Sequence, residues 1–593
     1  MSRSGERSRD RSHRTGRKSN DGRGHKAPPA GVSGGRGSGS IAVTPLRREH
    51  FLVTALVTAA CIAIGVSHWI YETDVWEHLL VGRVFWSQHR VFTTSVWSWP
   101  AYGTPNVNPS WGFSALLWPF WSLGGIAGLH AWRWLTTLAS FALLGLAARR
   151  LGARGLATFF VIAIAALVYR QRVQVRPETL AGVWLAFTVW ILERARASER
   201  PRAAWALVPV ALAWANSHIS FFLLFVLLGF HVLDAALARR WAAVRTLALA
   251  GVAALAATLV NPFGAATLAA PLTFLFTRRN EPFFAAIAEL QPIVWKQNLA
   301  NGLPLLLAGW PVLLLFRARR GRIDRVEWLT AVVFTTLAFS SARFVATYVL
   351  AATPYLARDL DEAAAGWRLP RGFAGPWART LVVSAACVLA SVFDWTHGIA
   401  PLGFRLDTSR MPVAAADWMT AHDVRGRGMN HFQLGGYLLW RFWPERDRLP
   451  FMDIHGEDSP RDVRAAYQLA MSEPEGWRAL DDRFRFDWVL LSRRYAHKRG
   501  LLDTVDDDER WSLVFVDDSA ALYLRREGAM APIAERFAYR TLGGSRATMT
   551  ARVEAARGDP ALKAEMEKEL ARQARETSVN FYGRAMERAL EAQ

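Results

Sequence analysis

From about residue 50 to residue 395 the chain is a succession of apolar runs separated by polar turns. Crossing a bilayer takes about 20 apolar residues in a helix, with about 17 as the lower end. Runs at about 50–70, 128–148, 155–170, 177–194, 203–217, 219–237, 242–260, 301–317, 326–341, 343–357 and 378–395 predict about eleven transmembrane helices. The stretches 75–91, 110–124 and 265–277 are amphipathic and rich in Trp and Phe, which predicts helices lying in the membrane interface. Beyond residue 400 the pattern changes. Strand-like runs at 487–491 and 511–516 alternate with helical patterns around 459–472 and 473–483. The expectation is an α-helical polytopic membrane domain over 49–398, a small α/β domain over 399–528 and a helical extension over 529–593. No repeat of fixed period is evident.

Composition sharpens this picture. The 593 residues include 27 Trp and only 2 Cys, and 71 Lys+Arg stand against 50 Asp+Glu. Two cysteines cannot build a disulfide framework, a zinc ribbon or an iron–sulfur site. Cys61 and Cys387 both fall inside apolar runs. No dinucleotide-binding, Walker or zinc-finger pattern links the basic excess to nucleic acid. Residues 1–40 hold ten Lys/Arg and three Asp/Glu with hardly an apolar residue, so the segment 1–48 reads as a disordered basic tail.

Charge also orients the chain. Cytoplasmic loops are rich in Lys and Arg. With the tail inside, the inner connections are Arg149-Arg150…Arg154, Glu193-Arg194…Arg202, Arg239-Arg240…Arg245, Arg317…Arg325 and Arg358…Arg371. An odd number of spans then puts the C-terminal domain outside. One outer turn breaks the rule, carrying Arg170, Arg172 and Arg176.

The candidate chemistry lies at that outer end. The first run leads into Tyr71-Glu72-Thr73-Asp74-Val75-Trp76-Glu77-His78. On a helix Asp74 and His78 are i,i+4 neighbours and face one site. Glu72 and Asp74 are placed to share a substrate hydroxyl or a metal ion. Glu77 reads as a charge meeting water at the end of a span. Topology brings further polar residues to the same end: Arg170, Arg172, Arg176 and Glu178, then Asn216 and His218, then Asn261, then Arg343. Charges within a bilayer are costly and generally line functional cavities. Arginine forks suit phosphate oxygens. A shared outward cavity for an anionic ligand is therefore expected.

Asp74-Val-Trp76-Glu-His78-Leu79, Gly82-Arg83, Thr93-Thr94-Ser95-Val-Trp97-Ser98-Trp99, Gly103 and Trp111 follow one another in an order that resembles a group of bacterial multispanning proteins of the GT-C glycosyltransferase superfamily. Arg176-Pro177-Glu178 is similar to that group's Arg-Pro-Gln, Ala215-Asn216-Ser217-His218 to its Ala-Asn-x-His, and Asn261-Pro262-Phe263-Gly264 to its Asn-Pro-aromatic-Gly. Gly435-Gly436-Tyr437-Leu438, Asp453 and Trp511…Asp517 resemble its extracytoplasmic domain, so the likeness covers about 50–525. Glu77 departs from it, standing where the group has a second Trp, and Ser95 stands where an Asp is common.

The resemblance implies a GT-C-like enzyme of a bacterial inner membrane, N-terminus in the cytoplasm. Such an enzyme moves a sugar from a polyprenyl-phosphate donor to an extracytoplasmic acceptor, with inversion. It implies a carboxylate just after the first span, acting as general base or helping to hold a divalent metal. Asp74 matches that position, with Glu72 and His78 beside it. A sugar hydroxyl is a poor nucleophile until a carboxylate takes its proton. The leaving lipid phosphate needs cations, which a metal or the arginines would supply. The expected partners are the bilayer, the lipid-linked donor and an acceptor, with no nucleic acid. The competing readings are a non-catalytic envelope polysaccharide assembly or binding protein on the same scaffold and, further off, a transporter. A transporter would gather its polar residues near the midplane and show internal repeats.

Overall fold

The structure, a computed structural model, describes residues 45–591 except 368, 369, 399 and 495–499. The expected basic tail falls almost wholly outside the described residues. Apolar runs become helices in the first part of the chain: α1 (Arg48–Gly65), α2 (Val75–Gln88), α3 (Trp111–Leu151), α4 (Ala157–Arg170), α5 (Pro177–Ala197), α6 (Leu207–Ala215), α7 (Phe222–Leu237), α8 (Trp241–Thr258) and α9 (Ala266–Phe276). Two single turns, α10 (Pro282–Ala285) and α11 (Trp295–Asn298), precede α12 (Leu303–Arg319), α13 (Arg325–Ser340), α14 (Val345–Ala364) and α15 (Pro376–His397).

Every predicted apolar run carries a helix, but the count of about eleven spans is not confirmed. Among the described residues, five helices are long and apolar enough to cross a membrane: Arg48–Gly65, Trp111–Leu151, Ile219–Leu237, Trp241–Thr258 and Pro376–His397. The others fall short in length or carry charge. Helix α4 has 14 residues and α6 has 9, while α14 includes Arg358, Asp359, Asp361 and Glu362. The predicted break between 110–124 and 128–148 is a kink inside α3. It lies at Gly125, whose φ of 53° only a glycine takes up readily.

The helices run alternately between two ends of the bundle, and buried ions tie each end. At one end Arg170 donates to Gly65 O at 2.6 Å and to Asp394 Oδ2 at 2.7 Å, joining the ends of α1, α4 and α15. At the other end Arg196 grips both oxygens of Asp324 at 2.7 Å. There Arg358 reaches Asp324 at 2.8 Å, Asp359 at 2.8 Å and also Glu327. The arginine-bearing connections read from the sequence as loops thus include a packed ionic lattice.

Beyond α15 come α16 (Val413–Ala421), β1 (Gly428–Asn430), α17 (Phe432–Phe442), α18 (Arg461–Ser472), α19 (Pro474–Phe484), β2 (Trp488–Ser492), α20 (Leu501–Asp506), β3 (Trp511–Val516) and β4 (Ala520–Arg525). The sheet order is β1-β2-β4-β3, with β1 parallel to β2 and the remaining pairs antiparallel. Helices α21 (Ala531–Phe537), α22 (Arg546–Arg557), α23 (Pro560–Glu576) and α24 (Phe581–Glu591) complete the chain. An apolar core runs across residue 399. Trp76 and Phe113 share a cluster with Trp418, Tyr437 and Leu522, and the Trp76 and Tyr437 rings meet edge to face at 5.3 Å. Trp99 donates to Gly428 O at 2.9 Å, clasping the loop before α3 onto the sheet.

Candidate active site

Local backbone chemistry sets the first two residues. Asp74 precedes α2, but its side chain makes no capping bond and is free to turn outward from the helix. Arg176 precedes Pro177, which starts α5. A residue before proline is driven to extended backbone, and Arg176 has φ −129° and ψ 161°. Its guanidinium reaches across to the segment after α1. Arg176 Nη2 lies 2.6 Å from Glu72 Oε2 and 2.6 Å from Asp74 Oδ2. Its Nη1 lies 2.8 Å from Glu289 Oε2.

Glu289 extends the network. Arg172 Nη2 approaches the same oxygen at 2.9 Å. Arg343 Nη2 donates to Glu178 Oε1 at 3.1 Å, and its Nε stands 3.9 Å from Glu289 Oε1. Three arginines therefore face four carboxylates. Glu289 carries no sequence motif, and reading the sequence missed it. The segment holding it is fixed on the start of α14's loop, where Ser341 Oγ donates to Glu289 O at 2.9 Å and Ala342 N to Gln291 O at 2.8 Å.

The excess of negative charge has a consequence at Asp74. Burial pushes its carboxyl up to about 7; Arg176 opposes this, while Glu72, Glu289 and Glu77 add to it. Glu289 also suffers burial, but Arg176, Arg172 and Arg343 outweigh it and hold that carboxyl well below its usual range. His218 completes this side. It is held down to about 4, first by burial and then by Arg343 against the pull of Glu178 and Glu289. Its Nδ1 is engaged with Ser220.

A second group adjoins the first. Glu77 is 0% exposed and paired with His455, not solvated at a span end as the sequence suggested. Asp453 is buried beside them. His78 lies between the groups, its Nδ1 3.2 Å from Ser114 Oγ and its ring 6.1 Å from that of His455. Burial and then His455 push the His78 imidazole down to about 3, so it stays neutral.

Three expected ligand-binding residues do other work. Arg170 is 2% exposed and fully engaged in the helix-end staple described above, away from this network. Asn261 closes its own turn, accepting from Phe263 N at 2.7 Å and Thr267 Oγ1 at 2.8 Å. Asn216 accepts from Trp111 Nε1 at 3.0 Å and donates to Val260 O at 2.9 Å, binding α3 to the link after α6. Polar side chains at turns serve the backbone first, and their sequence signal is the same as that of a ligand. Glu72, Asp74, Arg172, Arg176, Glu178 and Arg343 do come together as expected.

No protein-family model matches the chain, and no curated protein matches it by sequence. Solved structures do. The archaeal oligosaccharyltransferase AglB from Archaeoglobus fulgidus, in complex with an inhibitory peptide and a dolichol-phosphate, is similar with a TM-score of 0.54 at 12% identity, over 79% of this chain and 73% of that one. An oligosaccharyltransferase of the same organism in the apo form is similar with a TM-score of 0.50 at 12% identity, over 81% of this chain and 75% of that one. ArnT from Cupriavidus metallidurans, bound to undecaprenyl phosphate, follows with a TM-score of 0.46 at 14% identity, over 80% of this chain and 98% of that one. A helical bundle with a charged network at one end and a mixed domain docked there, this chain has the fold of these archaeal oligosaccharyltransferases.

Proposed function

We propose that the chain is a membrane glycosyltransferase that moves a sugar from a polyprenyl-phosphate donor to an extracytoplasmic acceptor hydroxyl. The observation that carries this reading is Asp74, a partly enclosed carboxylate pushed up to about 7 beside Arg176. A general base works best with a pKa near the operating pH. In the proposed step Asp74 takes the acceptor hydroxyl's proton as that oxygen attacks the anomeric carbon. The bond from that carbon to the donor phosphate oxygen breaks, and the lipid phosphate leaves with the electron pair. Attack from the face opposite the leaving group inverts the configuration.

Arg176 holds Glu72 and Asp74 together in the place a shared metal would take. This favours arginine over metal as the local counter-charge. Of the three arginines, Arg343 is the most exposed and makes the longest bond to its own carboxylate. It is the group assigned to the leaving phosphate, with Arg172 behind it. The dolichol-phosphate in the AglB complex supports a lipid-linked donor. One observation favours the scaffold-protein alternative, since every arginine of the network already has an acidic partner.

The test is release of polyprenyl phosphate by purified protein given a polyprenyl-phosphate sugar and crude envelope acceptor. Turnover that disappears in Asp74→Asn supports the enzyme. Donor binding without any turnover, over a range of donor sugars, would leave the scaffold reading standing.

A further inference from the structure

Glu77, Asp453 and His455 each offer one ligand atom, and these atoms all lie within 4.8 Å of one another. We propose that they form a structural binding site for a divalent ion of the zinc class, clamping α2 to the C-terminal domain. Two independent features of the fold build this site. Gly435 and Gly436 bring the ligands' backbones together. A Cβ on Gly435 would sit 2.3 Å from Met452 O and 2.8 Å from Asp453 Cα. A Cβ on Gly436 would sit 3.1 Å from Thr73 O and 3.5 Å from Glu77 Cβ. Helix α17 is thus the spacer that lets α2 and the 452–455 segment meet. That segment is also held from behind, because Asn430 donates to Met452 O at 2.7 Å and accepts from Phe451 N at 2.8 Å.

The carboxylate itself points to a ligand. Glu77 is fully buried, and one of its oxygens pairs with His455. The other, Oε2, is enclosed without a hydrogen-bond partner among the described residues. A buried, half-satisfied carboxylate is costly, and a cation beside Asp453 and His455 would use that oxygen. One imidazole nitrogen and two carboxylates make an intermediate donor set, which suits Zn²⁺ better than the all-oxygen preference of Ca²⁺ or Mg²⁺. In a tetrahedral zinc site, ligands at the usual distances of 2.0–2.2 Å stand about 3.3–3.6 Å apart. Closing from a spread of up to 4.8 Å takes side-chain shifts of about 1 Å.

The site does not depend on Asp74 being a base. The experiment is zinc titration of chelator-treated, tag-free full-length protein in detergent, read by bound zinc per chain and by melting temperature. Wild type is expected to take up one zinc more per chain than His455→Gln does, with a rise in melting temperature that Mg²⁺ does not give. Glu77→Gln and Asp453→Asn should each weaken binding tenfold or more. Asp74→Asn and Glu72→Gln should leave it unchanged, which separates this site from any metal held by that pair. Equal zinc uptake by wild type and His455→Gln would overturn the proposal, as would loss of uptake in Asp74→Asn alone. If Glu77→Gln does not fold, His455→Gln and Asp453→Asn decide.

Discussion

Asp74 and Arg176 stand 2.6 Å apart, yet burial and three neighbouring acids keep the aspartate close to neutrality. The sign of the pH effect follows. A base must be ionised, and a carboxyl raised to about 7 is increasingly protonated below that pH. Under the proposed mechanism kcat/KM should fall about tenfold per unit of pH below 7 and level off above it. A profile flat between pH 5 and 8 would remove Asp74 as the base. Asp74→Asn is nearly isosteric and cannot accept the proton, so turnover should drop by about 10²–10⁴ with donor affinity and melting temperature near wild type. Near-normal initial rates in that variant would sink the assignment. Arg176→Gln should behave differently, because it strands Glu72, Asp74 and Glu289 together. Breaking such a shared pair costs about 3 kcal/mol, visible as a lower melting temperature alongside lost activity. Asp74 and Arg176 were legible in the sequence because each adjoins a distinctive neighbour, the end of an apolar run or a proline. Glu289 and His455 were not, since neither adjoins such a neighbour and their partners lie 113 and 378 positions away in the chain.

At the scale of elements, helix propensity and apolar periodicity located the long helices before residue 400 and α18 and α19 beyond it, because those signals are local, but not α16, α17 or α20. Packing between elements was invisible, and α17 shows why. Its Gly435-Gly436 pair looks like a weak point in a helix of moderate polarity, whereas the fold uses it to seat α17 against both α2 and the 452–453 backbone. Gly435→Ala places a methyl 2.3 Å from a backbone oxygen that cannot rotate away. Overpacking of this kind costs about 1–3 kcal/mol. The expected outcome is a lower melting temperature and faster proteolytic release of the C-terminal domain than for Gly309→Ala. Gly309 lies in α12, and a Cβ there would meet nothing within 4 Å. Equal behaviour of the two variants would show that α17 tolerates the extra atom and is not closely seated. The ionic lattice around Arg358 was hidden for a similar reason. Arg196, Asp324 and Arg358 come from three separate elements, and in sequence each resembles an ordinary charged helix end.

The two ends of the whole bundle differ in chemistry. Arginines at 149–150, 194–196, 239–240, 317–325 and 358 mark the end where α1 begins. Glu72, Asp74, Glu178, His218 and Glu289 mark the other, and the C-terminal domain packs there through α17 on α2 and through the core shared by Trp76 and Tyr437. Cytoplasmic loops collect arginine irrespective of what the protein does, so this asymmetry predicts orientation independently of any enzymatic role. Docking at the end with fewer arginines predicts a C-terminal domain outside the cytoplasm. Paired reporters fused after Ala529 test this. A reporter active only outside the cytoplasm should work there, and one active only inside should not. Fusions after Arg240 should give the reverse pattern in the same cells. Cytoplasmic activity at Ala529 would place Asp74 on the cytoplasmic side with it, because α17 and α2 cannot separate without exposing Glu77, Trp76 and Tyr437. The donor sugar would then have to be presented from the cytoplasmic leaflet, and the proposal of an extracytoplasmic acceptor would fail even if Asp74 remained the base.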